Sequence, residues 1–241
     1  MEFSNVYDDD ERARAYDALE FPGTYILAYR DLPALFAEHV SGTRALDFGC
    51  GTGRSTRFLT GLGFDALGVD IAERMVARAR RRDPEGDYRV LGEGDLDRLP
   101  AGAFDLVLAA FTFDNIPTAA EKSASFAALA RRLAPDGRLV SVVSSPEIYV
   151  NEWASFTTRD YPENRAARTG DRVKIVMLDV EDRRPVEDVI WFDDDYRSLY
   201  RASGLAPLAV ARPLATGDEP VEWVSERTIA PWTIWVLGRT G

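Results

Sequence analysis

The residues whose types and spacing best suit chemistry lie in Arg44-Ala-Leu-Asp47-Phe-Gly49-Cys-Gly51-Thr-Gly53-Arg-Ser-Thr-Arg-Phe-Leu59. An apolar run ends in an acid, passes glycines at alternate positions and enters a segment that reads as a helix. A strand that turns this sharply into a helix needs glycine where φ is positive and where no Cβ fits beside a ligand. The same turn aims free backbone N–H groups, at the positive end of a helix dipole, into the crevice above a sheet. That is nucleotide-binding architecture. Dinucleotide binders space their glycines as G-x-G-x-x-G, and Arg54 stands at the third glycine position here. No G-x-x-x-x-G-K-[ST] is present, which excludes a P-loop.

Two further acids follow at the ends of apolar runs. Asp70 closes Asp65-Ala-Leu-Gly-Val69, where doubly wound folds place an acid to accept from ribose hydroxyls. Its two oxygens suit a vicinal diol, and its alternative role is the N-cap of the next helix. Asp95 lies in Gly92-Glu-Gly94-Asp95-Leu96, after the run Tyr88–Leu91. With Asp47 through Gly53 these residues, in this order, resemble the class I S-adenosylmethionine-dependent methyltransferases of small-molecule type. The resemblance covers about residues 44–144 and includes the Pro135-Asp-Gly-Arg138 turn.

That resemblance implies S-adenosylmethionine as cofactor and S-adenosylhomocysteine as product. It implies cofactor contacts from Asp47, Gly49, Gly51, Gly53, Asp70, Ile71, Met75 and Phe111, with Asp95 and Leu96 at the adenine. In the family an N-terminal helix closes over the cofactor, which makes Tyr25 and Arg30 candidates for its methionine carboxylate. Paired polar residues, often histidines, follow the fourth strand in such enzymes. Here they are Asp114 and Asn115, and the one histidine, His39, lies on a charged helix before the first strand. Asp114 is therefore the candidate that orients or deprotonates an acceptor hydroxyl or amine, with Asn115 positioning it. A capped tight loop is the bland alternative. The sulfonium already carries its leaving group, so holding the acceptor in line in a dry pocket is the main task.

The elements that must position these residues alternate strand and helix from residue 44, the pattern of a parallel α/β sheet. Strands are expected at 44–48, 65–69, 88–91, 105–110 and 138–143, and helices at 54–62, 72–82 and 119–133. The fold expected is α/β, doubly wound, with a mostly parallel seven-stranded sheet in a single domain over 1–241. An N-terminal helical cover spans 1–43, the cofactor-binding core 44–144, a lid and hairpin insertion 145–192, and the last part of the sheet 193–241. Within the insertion, Tyr149, Trp153 and Phe156 stand at helical spacing and predict one aromatic helix face. Two alternating runs, 172–180 and 186–192, predict an antiparallel hairpin, either added to the sheet or laid over the site. Arg159, Arg165 and Arg168 offer a way to hold an anionic acceptor.

Composition narrows the partners. The chain has 241 residues and a formal net charge of −11, an acidic surface that repels phosphate backbones and argues against nucleic acid. A single cysteine excludes an internal disulfide framework, and no apolar run reaches transmembrane length. The acidic first residues are unlike a signal peptide, so a cytoplasmic enzyme without a structural metal is the expectation. Oligomeric state is left open. The competing readings are a non-catalytic S-adenosylmethionine-binding partner or regulatory module, a protein or nucleic-acid methyltransferase, and a nicotinamide oxidoreductase.

Overall fold

A computed structural model describes residues 22–92 and 94–240. Residues 1–21 of the expected N-terminal helical cover lie outside the described residues. A 3-10 turn at Gly23–Tyr25 leads into α1 (Ile26–Arg30) and α2 (Leu32–His39). The core then runs β1 (Arg44–Phe48), α3 (Arg54–Gly61), β2 (Asp65–Asp70), α4 (Glu73–Arg82), β3 (Asp87–Val90), β4 (Phe104–Ala110), α5 (Ala119–Arg132) and β5 (Leu133–Ser144). After it come β6 (Phe156–Thr157), β7 (Arg172–Met177), β8 (Val186–Val189), α6 (Asp193–Ala202), β9 (Leu205–Ala211) and β10 (Trp232–Arg239).

The main sheet has seven strands in the order β3-β2-β1-β4-β5-β10-β9, parallel throughout except for β10. Chain order reverses between β1 and β4. Ligands in open parallel sheets bind beyond the carboxyl ends of the strands at such a switch point. The two-residue period of β4 feeds both layers: Leu106 and Leu108 join the core with α1, α2 and the insertion, while Val107 and Ala109 join the core with α5 and α6. Helices on both faces of the sheet follow from that division. α5 begins at a capping box, in which the Thr118 hydroxyl accepts from the Glu121 N–H and the Glu121 carboxylate accepts from the Thr118 N–H.

Two expectations for the insertion change. Tyr149, Trp153 and Phe156 do not share a helix: a 3-10 turn covers Pro146–Tyr149, and Phe156 starts β6. Distant side chains capture the backbone N–H groups that a helix would need. The Ala154 N–H donates to Glu226 Oε1 at 2.8 Å, and the Ser155 N–H to Thr24 Oγ1 at 3.1 Å. All three aromatics are nonetheless buried. The hairpin forms as read, with Val173 opposite Asp188 and Ile175 opposite Val186. It does not extend the main sheet, however. With β6 it makes a separate three-stranded sheet in the order β6-β7-β8. None of the described helices is long and apolar enough to cross a membrane.

Candidate active site

The glycine loop is built by hydrogen bonds from β2. The N–H groups of Gly49 and Cys50 both donate to the Val69 carbonyl, and the Gly51 N–H donates to Asp70 Oδ2 at 2.8 Å. Gly49 has φ of 77°, and a Cβ there would lie 2.3 Å from Thr112 Oγ1, whose hydroxyl donates to the Phe48 carbonyl. A Cβ at Gly51, where φ is 53°, would meet only Met75 Cε, at 3.4 Å. Gly49 is thus glycine for packing, and Gly51 faces open space above the sheet. Gly53, at φ 82°, is the N-cap of α3 without a capping side chain, which leaves the positive end of that helix to the crevice.

A contrast follows. Gly49→Ala should lower stability by about 2–4 kcal/mol through strain and overlap, roughly 5–10 °C in melting temperature. Gly51→Ala should cost only about 1 kcal/mol but put a methyl group into the crevice. Thermal melts and S-adenosylhomocysteine titrations of the two variants check this.

Asp47 at the end of β1 is fully buried and accepts at 2.6 Å from both the Ser55 and Thr56 hydroxyls on α3. Its Oδ1 is buried with no partner. Burial lifts its pKa to about 6, against the two hydroxyls that stabilise the anion. Asp70 takes the Gly51 N–H on one oxygen and the Ala72 N–H, at 2.8 Å, on the other. It therefore ties the glycine loop to the start of α4, and its pKa is also raised by burial. Ile71 beside it is 55% exposed, an apolar side chain left uncovered at the crevice. Met75 is buried beneath the loop, Leu96 is buried, and Asp95 accepts from the Gly92 N–H and pairs with Arg98 at 3.1 Å.

The crevice thus offers a glycine with no side-chain wall, an uncapped helix end, an orphaned carboxylate oxygen and an uncovered isoleucine. These features fit an adenosyl group. Arg30, in contrast, is committed elsewhere: it pairs with Asp31 at 2.7 Å and Glu219 at 2.6 Å and donates to the Leu214 carbonyl. It fastens the loop before β10.

Beyond β4 lies a pocket of about 480 Å³, its open mouth included, between the main sheet and the three-stranded sheet. Tyr25, Phe111, Tyr149, Phe156 and Trp232 are its aromatic walls, and Ile148, Ile175, Met177 and Val186 its aliphatic ones. Phe111 has φ of 63°, the one described non-glycine residue with positive φ. Strain of that kind persists only where the surroundings over-determine it. Here the Phe111 N–H donates to the Val142 carbonyl, Asn115 Nδ2 donates to the Phe111 carbonyl at 3.1 Å, and the ring lies 4.7 Å from that of Trp232. Asn115 is therefore a clamp on Phe111. Tyr25 stacks on Trp232 and meets Phe111 edge-on, which brings the N-terminal cover into the pocket wall.

Two acids face this pocket. Asp114 is 6% exposed, and its Oδ2 accepts from the N–H and hydroxyl of Ser144, at 3.0 and 2.9 Å. Asp188, half-buried on β8, accepts from the Tyr149 hydroxyl at 3.1 Å. Burial raises Asp114 to about 6, opposed by the Lys122 charge. Asp188 rises to about 7, first by burial and then by the charge of Asp114. Lys122 on α5 is fully buried, donates to the Phe113 carbonyl and lies 5.1 Å from the Trp191 ring centroid. Burial lowers it to about 8, although Asp114 and Asp188 both favour its charge.

Asp188 is the pocket residue that the sequence reading did not single out. The signal was present: on β8 the two-residue period puts it on the face of Val186, where an acid has no reason to be unless something meets it. Arg159, Arg165 and Arg168 do not reach the pocket. Arg159 pairs loosely with Glu152 at 3.8 Å, Arg165 donates to the Val150 carbonyl, and the Arg168 N–H donates to Asp171.

Residues 46–141 match the family model described as a methyltransferase domain. That match lies within the cofactor-binding core and covers less than half of the chain. Over 104 residues it is 34% identical to a ubiquinone biosynthesis O-methyltransferase of Xanthomonas oryzae, covering 42% of each chain. It is 35% identical over 117 residues to a demethylmenaquinone methyltransferase of Beutenbergia cavernae, covering 48% of this chain and 45% of that one. The match thus spans less than half the length of these curated relatives. The fold is shared more widely. A solved S-adenosylmethionine-dependent methyltransferase from Mesorhizobium loti aligns over 87% of this chain and 97% of its own, with a TM-score of 0.60 and 24% identity. The family match ends at residue 141, before the insertion that supplies the second acid of the pocket.

Proposed function

We propose that this protein is an S-adenosylmethionine-dependent methyltransferase acting on an oxygen or nitrogen of a small-molecule acceptor. The observation that carries the reading is the pairing of two compartments at one switch point: the glycine crevice beyond β1 and β2, and an aromatic-walled pocket with an open mouth beyond β4 and β5. Phe111 and Tyr25 stand in the wall of the pocket and would contact the reacting end of the cofactor. When bound, the cofactor supplies a methyl group already activated on a sulfonium.

The chain's own residues then have separable roles. Gly51 and the α3 N-terminus accommodate the anionic end, Asp70 the ribose, and Ile71, Asp95 and Leu96 the adenine. Asn115 holds Phe111, and the insertion covers the acceptor and excludes water. Asp188 and Asp114 orient the acceptor's polar group, and Asp188, titrating nearest neutrality, accepts its proton. A recessed pocket of this size supports a small molecule over a protein or nucleic-acid surface, and a non-catalytic module has no need of two acids inside one.

The test is calorimetric titration with S-adenosylmethionine, S-adenosylhomocysteine and NAD, repeated on Asp70→Ala. The first two should bind and NAD should not. The substitution removes a charged hydrogen-bonding group and the tether of the Gly51 N–H, so affinity should fall roughly 100-fold. Binding of NAD alone, or undiminished affinity in the variant, would overturn the reading.

A further inference from the structure

We infer that the acceptor is an amine bound as its ammonium ion on an apolar body, and that Asp188 is the residue that selects it. The inference rests on the methyltransferase reading and narrows it from oxygen or nitrogen to nitrogen.

The ring walls come first. Tyr25, Phe111, Tyr149, Phe156 and Trp232 surround the pocket, and aromatic faces attract a desolvated cation through their quadrupoles. Rings alone would serve a neutral ligand equally well, so charge decides. Asp114 and Asp188 bring two carboxylates to the pocket, and among the described residues the buried cation that acts on both is Lys122, while Arg54 lies behind the Tyr25 wall, 5.6 Å from its ring centroid. Among the described residues no ion pair within 4 Å joins Lys122 to either acid, and its ammonium is spent on the Phe113 carbonyl and the Trp191 ring. Once Asp188 is ionised, above about pH 7, two negative charges against one positive leave one negative charge uncompensated in a largely apolar pocket, which is a costly arrangement for a protein to keep.

The acids also point at a ligand. Asp114 is more than nine-tenths buried, and Ser144 occupies its Oδ2. The Tyr149 hydroxyl occupies Oδ2 of Asp188. Among the described residues the other oxygen of each carboxylate takes no protein hydrogen bond. An ammonium group supplies both what is missing in charge and donors for those oxygens. A carboxylate or phosphate ligand would meet repulsion, and a neutral alcohol would leave the charge uncompensated.

The proton account closes. The bound ammonium gives one proton to Asp188 and becomes a neutral amine. Its nitrogen lone pair forms the N–CH₃ bond as the S–CH₃ bond breaks with its electron pair left on sulfur, which becomes a neutral thioether. The product nitrogen then carries the positive charge, and Asp188 releases its proton to water.

The experiment uses the full chain with S-adenosylhomocysteine added first, its binding recorded separately. Benzyltrimethylammonium, benzyl alcohol and benzoate are then titrated at pH 8. The expected result is a cation bound at least tenfold tighter than the alcohol, with benzoate weakest. Asp188→Asn should remove the tenfold preference, chiefly by weakening the cation. Equal or tighter binding of the alcohol by the unsubstituted protein would overturn the inference without using any variant. Cation preference that survives Asp188→Asn would overturn the part assigned to Asp188. Failure of S-adenosylhomocysteine to bind would instead overturn the methyltransferase reading, and with it methyl transfer to the amine.

Discussion

Asp188→Asn should make the protein more stable and a poorer catalyst at the same pH. The asparagine carbonyl still accepts from the Tyr149 hydroxyl, so the fold keeps its contact. What is lost is the charge and the proton acceptor. General-base catalysis of this kind is worth about 10²–10⁴-fold, and kcat/KM at pH 8 should fall by about that factor with the amine that turns over.

The gain in stability comes from linkage. The folded pKa of Asp188, about 7, stands above the value of an unfolded aspartate. Between the two values the native state holds more protons than the unfolded state, so stability falls as pH rises through that window. The cost is complete above pH 7. Solvent at the pocket mouth screens part of it, leaving about 1–2 kcal/mol and a rise in melting temperature of about 3–6 °C for the variant at pH 8. The gain should shrink steadily below pH 7 and be nearly gone at pH 4, where native Asp188 is protonated and unfolded Asp188 is about half protonated. Melting curves of the cofactor-free proteins from pH 4 to 9 measure this. A pH-independent gain would mean that packing, not charge, is responsible. A loss of stability at pH 8 would mean that the ionised Asp188 is well compensated within the protein, and would weaken the case for a cationic ligand.

The same residue marks where the sequence stops being informative. The strands from β1 to β5 and the helices between them lie within one or two residues of their expected bounds at nearly every end, because their signals are local: apolar runs, glycines with positive φ, a capping box. The exception is β5, which begins at Leu133, ahead of the Pro135-Asp-Gly137 turn, and shifts register against β4 there. Asp47 and Asp70 were legible as the acids at the ends of β1 and β2 beside the glycine loop, but their partners were not. Ser55, Thr56, Ala72 and Gly51 turn both carboxylates into struts of the glycine loop.

The insertion is a different matter. Its backbone is organised by Glu226, a fully buried acid that accepts from the Thr24 hydroxyl, the Ala154 N–H and the Val224 N–H. Those partners lie up to 202 residues apart in sequence, and no periodicity reports such a junction. It is also what turns the Tyr149, Trp153 and Phe156 spacing away from a helix. The same junction carries Trp232 into the pocket, its Nε1–H donating to the Thr24 carbonyl at 2.9 Å.

Lys122→Met should move the titration of the pocket to higher pH. Methionine keeps the unbranched shape and an apolar contact with Trp191, but it removes the positive charge that holds Asp114 and Asp188 in their ionised forms. Without that charge both acids bind their protons more tightly, so the pH at which half the cation affinity is gained should rise by about one unit. Benzyltrimethylammonium binding measured from pH 5 to 9 in the presence of S-adenosylhomocysteine reads this without turnover. At pH 6.5 the variant should bind about tenfold more weakly.

At pH 9 the acids are ionised in either protein, and Lys122, lowered to about 8 by burial, has largely lost its own charge. The two proteins should then bind the cation with similar affinity. The Phe113 carbonyl loses its donor in the variant, which should cost about 1–3 kcal/mol of stability at pH 8. A midpoint that does not move would remove Lys122 from the field of the two acids. A midpoint that moves while the two affinities stay apart at pH 9 would mean that Lys122 does more than set the protonation of the two acids.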